Sequence, residues 1–384
     1  MPSQLNNLAK YEKVILYVKT KSFARDNRVK KEIDSLLEAK VAVDVVVFSN
    51  DETPPEYHGV GVKKFRGMKN SAPKSFFVRA VAALYFSGDS LMHARRLEKK
   101  DGRRTLHWVA DPVLFPLVLG LRSFCRGGVL WDHHELPPEW IFRSRLIASL
   151  FIKAYESAEM VVHANKNRML YLEERIKRRA KNAKIINNYP REIELLAEKK
   201  VDSLADVAAQ GGFIFLQNSI SDDRCGPSIF SAIRRCGLRA IHAGEASDQQ
   251  LLELEKKVGP IRDFCVFAGS LDLLEINWLI KKSLCTIICY KQTSANQKYC
   301  EPNRLFHALG LGARVIVGNN PTMVDEVVSY PGAIVLADDG SAEDGIYFAL
   351  KGIVAGDGLG MVSVRSEKKT WSKCEEVIFD ILGK

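Results

Sequence analysis

The 384-residue chain predicts an α/β protein of two doubly wound, parallel-sheet domains. Three observations carry that expectation. Runs rich in β-branched residues alternate with helix-like segments almost from end to end. The alternation occurs twice, with six strand candidates in each half, and a polar, proline-led stretch separates the halves. Length agrees, being long for one core and natural for two.

In the first half the strand candidates are VILYV (14–18), VAVDVVVFS (41–49), TLHWVAD (105–111), VLWDHH (129–134), MVVHA (160–164) and AKIINN (183–188). Helical segments such as NRVKKEIDSLLEA and KNRMLYLEERIKRRA lie between them. In the second half they are GFIFLQN (212–218), RAIHAGE (239–245), DFCVFAG (263–269), CTIICY (285–290), ARVIVG (313–318) and GAIVL (332–336). The expected divisions are an N-terminal domain over 1–190, a linker over 191–211 and a C-terminal domain over 212–366. An amphipathic helix over 367–384, with Trp371, Val377, Ile378 and Ile381 on its apolar face, is expected to cross back to the first domain. In such sheets ligands bind beyond the carboxyl ends of the strands, so the loops after strands hold the candidate chemistry.

Composition narrows the class. Hydrophobic content of 46% is ordinary for a globular chain. No apolar run reaches the roughly 20 residues that span a bilayer. The N-terminal stretch has one short apolar run, which reads as a strand rather than a signal peptide. Eight cysteines are scattered singly without a CxxC pair, which predicts a reducing, cytoplasmic setting with neither disulfides nor a zinc site.

The net charge of +10 is uneven: residues 62–104 hold twelve Lys/Arg against three Asp/Glu, interleaved with Phe65, Phe76, Phe77, Tyr85 and Phe86. PKSFFVRAVAALYF reads as an amphipathic helix with basic flanks. Lys74, Phe76, Phe77 and Arg79 are the candidate membrane or acceptor surface, suited to anionic headgroups at the inner face of a membrane. A solvated basic face over a core helix is the plainer reading. No nucleic-acid motif accompanies the charge, and no nucleic-acid partner is expected.

Several loops hold candidate chemistry. In QNSISDDRCGPSIFSAIRR, Arg224 stands near a helix N-terminus, where the backbone already favours an anion; alternatively it pairs with Asp222 or Asp223. Gly244 and Gly269 form tight post-strand turns that allow a ligand close to the backbone. In CEPNRLFHALGLG, Pro302 and Glu301 suit a helix start, and Asn303, Arg304 and His307 project from its first turns. Asn303 and His307 share a face, and His307 is either a ligand contact or a packed histidine. In WDHHELPPEW, His133 and Glu135 follow a strand beside Asp111, which either faces a ligand or caps the helix beginning at Pro112. The adjacent histidines point opposite ways and lack a third spaced ligand, so no metal is expected.

These pieces in this order, over nearly the whole chain, resemble the GT-B glycosyltransferases, and within them glycosyltransferase family 4 (group 1) enzymes of bacterial polysaccharide biosynthesis. RDNRVKKEIDSLLEAK resembles the family's opening helix, and HWVADPVLFPLVLGL with VLWDHHELP its "H-x-x-D" and "yD-x-HElp" pair. IINNYP, FLQNSISDDRCGPSIFSAI, EPNRLFHALGLGARVIV and TWSKCEEVIFDIL match the later motifs in sequence. The resemblance implies a GT-B architecture, two Rossmann-like domains facing across a cleft. It implies a nucleotide-diphosphate sugar donor in the second domain, with Arg224 and Arg304 on the diphosphate. His307 stands where relatives carry a ribose-binding Glu, and Tyr299 where many carry an acid that reads the sugar hydroxyls. Asn218-Ser219 replaces a glycine pair, and Cys225 a turn glycine, so Asn218 is expected to crowd its loop. Glu301 is a substitute contact for sugar or ribose.

The implied reaction moves a sugar to a glycan or lipid-linked acceptor, with retention and without metal or cofactor, in cell-surface polysaccharide or lipopolysaccharide assembly. Asp111, His133 and Glu135 would position acceptor or donor sugar, or supply a general base if the reaction inverts. The alternatives are a non-catalytic pseudo-glycosyltransferase subunit and a nucleotide-sugar 2-epimerase of the same fold.

Overall fold

The computed structural model describes residues 10–49, 57, 59–65, 76–209, 212–356 and 369–384, and of residues 76–80 the backbone alone. Lys74 and the side chains of Phe76, Phe77 and Arg79 therefore lie outside the described residues. The chain divides into two compact units, Met1–Asn187 with Lys373–Lys384, and Asn188–Ser372.

The first unit is built on seven parallel strands: β1 Lys13–Lys19, β2 Ala42–Phe48, β3 Val60–Lys64, β4 Thr105–Ala110, β5 Gly128–His133, β6 Met160–His163 and β7 Ala183–Ile185. Their order is β3-β2-β1-β4-β5-β6-β7. Central strands are buried on both faces, so they read as continuous apolar runs: Val14, Ile15, Leu16 and Val18 on β1 are all shielded. The β3 segment, VGVKK, has no such run. It lies at the sheet edge, where lysines block further pairing, and a Cβ on Gly61 would stand 2.3 Å from Asp44 Oδ1. The basic segment forms one helix, Phe76–Asp101, longer than its apolar stretch suggests. It packs beside the Phe115–Phe124 helix, which packs in turn beside Arg145–Ser157. The Trp371–Leu382 helix adds residues 373–384 to this unit: Glu375 Oε1 accepts from Ser35 Oγ at 2.9 Å, and Asp380 pairs with Lys184 at 2.8 Å.

The second unit has six parallel strands: β8 Phe213–Gln217, β9 Arg239–Ala243, β10 Cys265–Gly269, β11 Cys285–Ile288, β12 Val315–Val317 and β13 Ala333–Val335. Their order is β10-β9-β8-β11-β12-β13. Residues 191–209 are folded onto this unit. Val201 and Leu204 join its core, Asn277 Nδ2 donates to the carbonyls of Glu194 (2.6 Å) and Ala197 (3.0 Å), and Lys281 pairs with Glu198 at 2.8 Å.

Each sheet reverses strand order once, between β1 and β4 and between β8 and β11. In α/β sheets ligands bind beyond the carboxyl ends of the strands at such a reversal.

Candidate functional site

In the second unit the chain leaves β8 through Asn218, whose φ of +50° is left-handed. Its N–H donates to Ala243 O at 2.9 Å. Gly244, at φ +121°, takes up the Asn218 side chain that was expected to crowd this loop: a Cβ there would meet Asn218 Oδ1 at 2.0 Å. Asparagine is among the few residues that enter this backbone region readily. Cys225 also keeps a glycine-like backbone, at φ +58°, with its Sγ near Asp339 O. The close approach at this turn falls on Gly226, where a Cβ would lie 2.4 Å from Ile220 O. Gly269 contributes its left-handed φ of +67°, and its carbonyl accepts from Gly244 N at 2.7 Å.

Beneath this loop, Ser219 N–H donates to His242 Nε2 at 3.2 Å. Burial, and then the nearby Arg304 guanidinium, push His242 down to about 4, so the imidazole is neutral and accepts.

Two arginines converge above it. Arg224 Nη1 donates to Asn218 O at 2.7 Å, and its guanidinium lies 5.6 Å from the Tyr290 ring centroid. Arg304, from the first turn of the Asn303–Gly310 helix, lies 5.1 Å from the same ring. Its Nη1 donates to Gln217 O, and to Ser219 Oγ at 2.9 Å. Arg304 Nε and Nη2 are buried and have no hydrogen-bond partner among the described residues. Neither arginine has an ion-pair partner there; Asp222 is engaged by Lys291 at 2.7 Å and Lys257 at 3.3 Å. Unspent charged donors at the carboxyl edge of a sheet can receive an anion with several oxygens, and guanidinium geometry suits phosphate.

The structure thus brings Asn218, Arg224, Gly244 and Arg304 together. Sequence reading missed Tyr290 and His242, and noted Ser219 only as a replacement of a glycine; the three complete the cluster. The remaining candidates follow along the same segment. Tyr299 closes a short helix, with Lys298 5.5 Å from its ring centroid. Glu301 Oε1 accepts from Asn188 N at 3.3 Å, and Asn303 is exposed. His307 Nε2 lies 3.8 Å from Glu194 Oε2, a carboxylate from the segment that leads into this unit.

In the first unit, Asp111 follows β4 with a left-handed φ of +125°. Five contacts hold it, one of them the Leu114 N–H that donates to its carbonyl at 3.1 Å. Its N–H donates to Asp132 O (3.1 Å), its carbonyl accepts from Trp131 Nε1 (3.1 Å), its carboxylate caps Val113 N–H (2.7 Å), and Lys19 lies 3.4 Å away. Asp111 thus caps the following turn and also stands at the carboxyl end of β4, next to the reversal of strand order. An over-determined, strained residue at a switch point is a functional candidate. Glu135 is exposed in the next loop. His133 is different: it is buried among Trp131, Phe151, Tyr155 and His163, with no hydrogen-bond partner on either nitrogen among the described residues. Burial and His163 keep it well below the usual imidazole range. Its surroundings are those of a neutral core histidine.

Below Asp111 sits a buried ionic network that the sequence did not reveal. Arg28 contacts Glu32 (3.0 Å) and Asp132 (3.2 Å), and Trp108 Nε1 donates to Asp132 (3.1 Å). His134 Nε2 lies 3.1 Å from Asp132. Burial alone would lower His134, but Asp132 prevails and raises it to about 10. Burial and the neighbouring Asp132 push Glu32 up. Glu32, Asp132 and His134 have ligand-type atoms close together, but the Arg28 guanidinium already supplies a cation to both carboxylates. A second such group, Glu98, His107 and Cys125, spends Glu98 on the N–H groups of Arg126 (3.0 Å) and Gly127 (2.8 Å) and on His107 (2.9 Å).

No family model matches the chain, and no curated protein matches it. Solved structures do. Sucrose-phosphate synthase from Thermosynechococcus elongatus superposes with a TM-score of 0.71 at 13% identity, covering 97% of this chain and 95% of that one. Anabaena HepE in complex with UDP-glucose gives 0.71 at 12% identity, covering 96% and 99%. An Escherichia coli structure described as trehalose-6-phosphate bound with UDP-2-fluoro glucose gives 0.72 at 12% identity, covering 97% and 99%. The two parallel-sheet units of this chain have the GT-B fold of these glycosyltransferase structures.

Proposed function

We propose that the chain is a glycosyltransferase that takes its sugar from a nucleotide-diphosphate donor held in the second unit, nearest in motif order to family 4. The single observation that carries this reading is Arg304: a guanidinium with buried donors unspent among the described residues, sharing the Tyr290 ring with Arg224, which has no ion-pair partner among them. The diphosphate would lie against both arginines and the open helix start at Asn303. Structural neighbours of the same fold were solved with UDP and UDP-sugars, which supports a nucleotide sugar as donor.

As the glycosidic bond to phosphate breaks, negative charge grows on the leaving diphosphate. Preformed guanidinium donors stabilise that charge without reorganising and without a divalent metal. Transfer proceeds with retention, the leaving phosphate taking the acceptor proton. Asp111, held rigid at its switch point, and the exposed Glu135 position the reacting sugars in this reading, while buried His133 only packs. Tyr299 and Glu301 would face the sugar, and His307, with Glu194 beside it, the nucleoside. The acceptor is a glycan or a lipid-linked glycan, used by a cytoplasmic enzyme at the inner face of a membrane.

Incubation with labelled nucleotide sugars and extracted lipid-linked glycans tests the reaction. Acceptor-dependent release of nucleoside diphosphate, abolished by Arg304→Ala, is expected. Donor conversion without acceptor would instead mark an epimerase, and tight nucleotide binding without turnover a non-catalytic subunit.

A further inference from the structure

The three-helix layer of the first unit has an unusual outer face. Eight large apolar side chains in this unit are exposed among the described residues, and seven of them lie on this layer; Leu170 is the exception. On the long helix, Val81, Leu84, Tyr85 and Met92 recur at helical spacing, with Leu84 57% and Tyr85 65% exposed. The middle helix adds Phe124 at 60%, and the third adds Leu146 at 71% and Leu150. The opposite side of the long helix is buried through Ala82, Ala83, Phe86, Ser90 and Ala94, so the exposed stripe is not an unfilled part of the core.

Charge on the layer is one-signed in effect. Arg95, Arg96, Lys99 and Lys100 continue the stripe and have no ion-pair partner among the described residues. Arg95 lies 5.7 Å from the Phe124 ring centroid, joining the first helix to the second. Exposed Arg122, Arg145 and Lys153 extend the basic rim. All four acids on the three helices are engaged elsewhere: Asp89 with Lys63, Glu98 with His107, Asp101 with Lys13, and Glu156 with Arg178. Apolar side chains beside unneutralised cations suit a surface that is greasy within and anionic at its rim.

We propose that this face docks the protein on an anionic lipid bilayer, with Leu84, Tyr85, Met92 and Phe124 at the acyl boundary and the cations on the headgroups. The choice of a bilayer rests on the reading of a lipid-linked acceptor above. A nucleic acid would use the cations but leave the apolar stripe in water.

Co-sedimentation of the full chain with vesicles of phosphatidylcholine, and of phosphatidylcholine with about 30% phosphatidylglycerol, tests the assignment. Binding to the anionic vesicles alone, weakened by salt, is expected. The pair Leu84→Glu and Tyr85→Glu, and separately Lys99→Glu and Lys100→Glu, should each lower binding by about tenfold or more. Nucleoside diphosphate affinity, measured without lipid, should be unchanged in both, so docking and donor binding fail or stand separately. No binding to anionic vesicles at low salt, or binding that ignores the Leu84/Tyr85 pair, would overturn the proposal. Release of vesicles by RNA together with indifference to that pair would assign the face to nucleic acid.

Discussion

Ser219 donates its backbone N–H to Nε2 of His242 at 3.2 Å, and that bond fixes both the loop and the ring beneath it. Nε2 must carry no proton to accept, so the proton of the neutral ring resides on Nδ1. The loop so held carries Asn218 O, to which Arg224 is anchored, and Ser219 Oγ, to which Arg304 donates. A buried histidine beneath the loop thereby positions both cationic side chains.

His242→Phe leaves the buried Ser219 N–H without an acceptor, at a cost of about 1–3 kcal/mol. Urea unfolding should register that loss, and calorimetry a weaker affinity for nucleoside diphosphate. His242→Gln retains an acceptor and should recover part of both. Equal affinity in wild type and His242→Phe would dissociate the loop from the arginines.

Asn218 and Cys225 are tolerated as left-handed residues, which predicts an asymmetry between substitutions. Asn218→Gly keeps the backbone and should change stability by no more than about 1 kcal/mol, whereas Asn218→Val forces a β-branched side chain to positive φ and should cost about 1–2 kcal/mol or more. Thermal melts of the two variants decide it; indistinguishable melting temperatures would contradict the strain argument.

The buried Arg28 is the cation for both Glu32 and Asp132. Arg28→Met removes it and leaves two carboxylates facing each other with His134 alone. A destabilisation of about 3–5 kcal/mol is expected in urea. A loss below about 1 kcal/mol would mean that the network is solvated and weak.

Stability should fall on both sides of neutrality, for opposite reasons. Burial lowers His163 to about 4, and burial with Arg304 lowers His242 to about 4. Their contribution is full above the ordinary imidazole value of about 6.5 and is lost as pH falls towards 4. Glu98, opposed by burial but held to about 2 by His107 and two backbone N–H groups, adds a loss from about 4.5 downwards. His134 runs the other way. Its pKa of about 10 makes its contribution full below about 6.5, and that contribution is lost as pH rises through 10. Urea midpoints from pH 4 to 10 should trace a dome, and His134→Gln should flatten its alkaline limb.

The sequence reached the central strands easily because strands buried on both faces, such as β1, carry continuous apolar runs. It missed β3 because Val60–Lys64 carries edge lysines and a glycine instead. In the candidate site, Arg224 and Arg304 were readable from their places at helix starts. Tyr290 and His242 were not, since their roles arise only when β9 sets His242 against Ser219 and the stretch after β11 sets the Tyr290 ring against both arginines. The same holds for Arg28 and Asp132, 104 residues apart, and for Glu194, which reaches His307 from a stretch that reads as a linker. His133 went the other way: a strand-end histidine looks available, but alternation along β5 turns it into an aromatic cage.

Titration calorimetry of the wild-type chain and Arg304→Ala with UDP, GDP and ADP, each beside its nucleoside, tests the central claim most directly. One diphosphate should bind the wild type at least about tenfold more tightly than its nucleoside, and Arg304→Ala should erase most of that difference. Binding that is indifferent to the phosphates, or unchanged in Arg304→Ala, would contradict the assignment of this cluster as a nucleotide-diphosphate site.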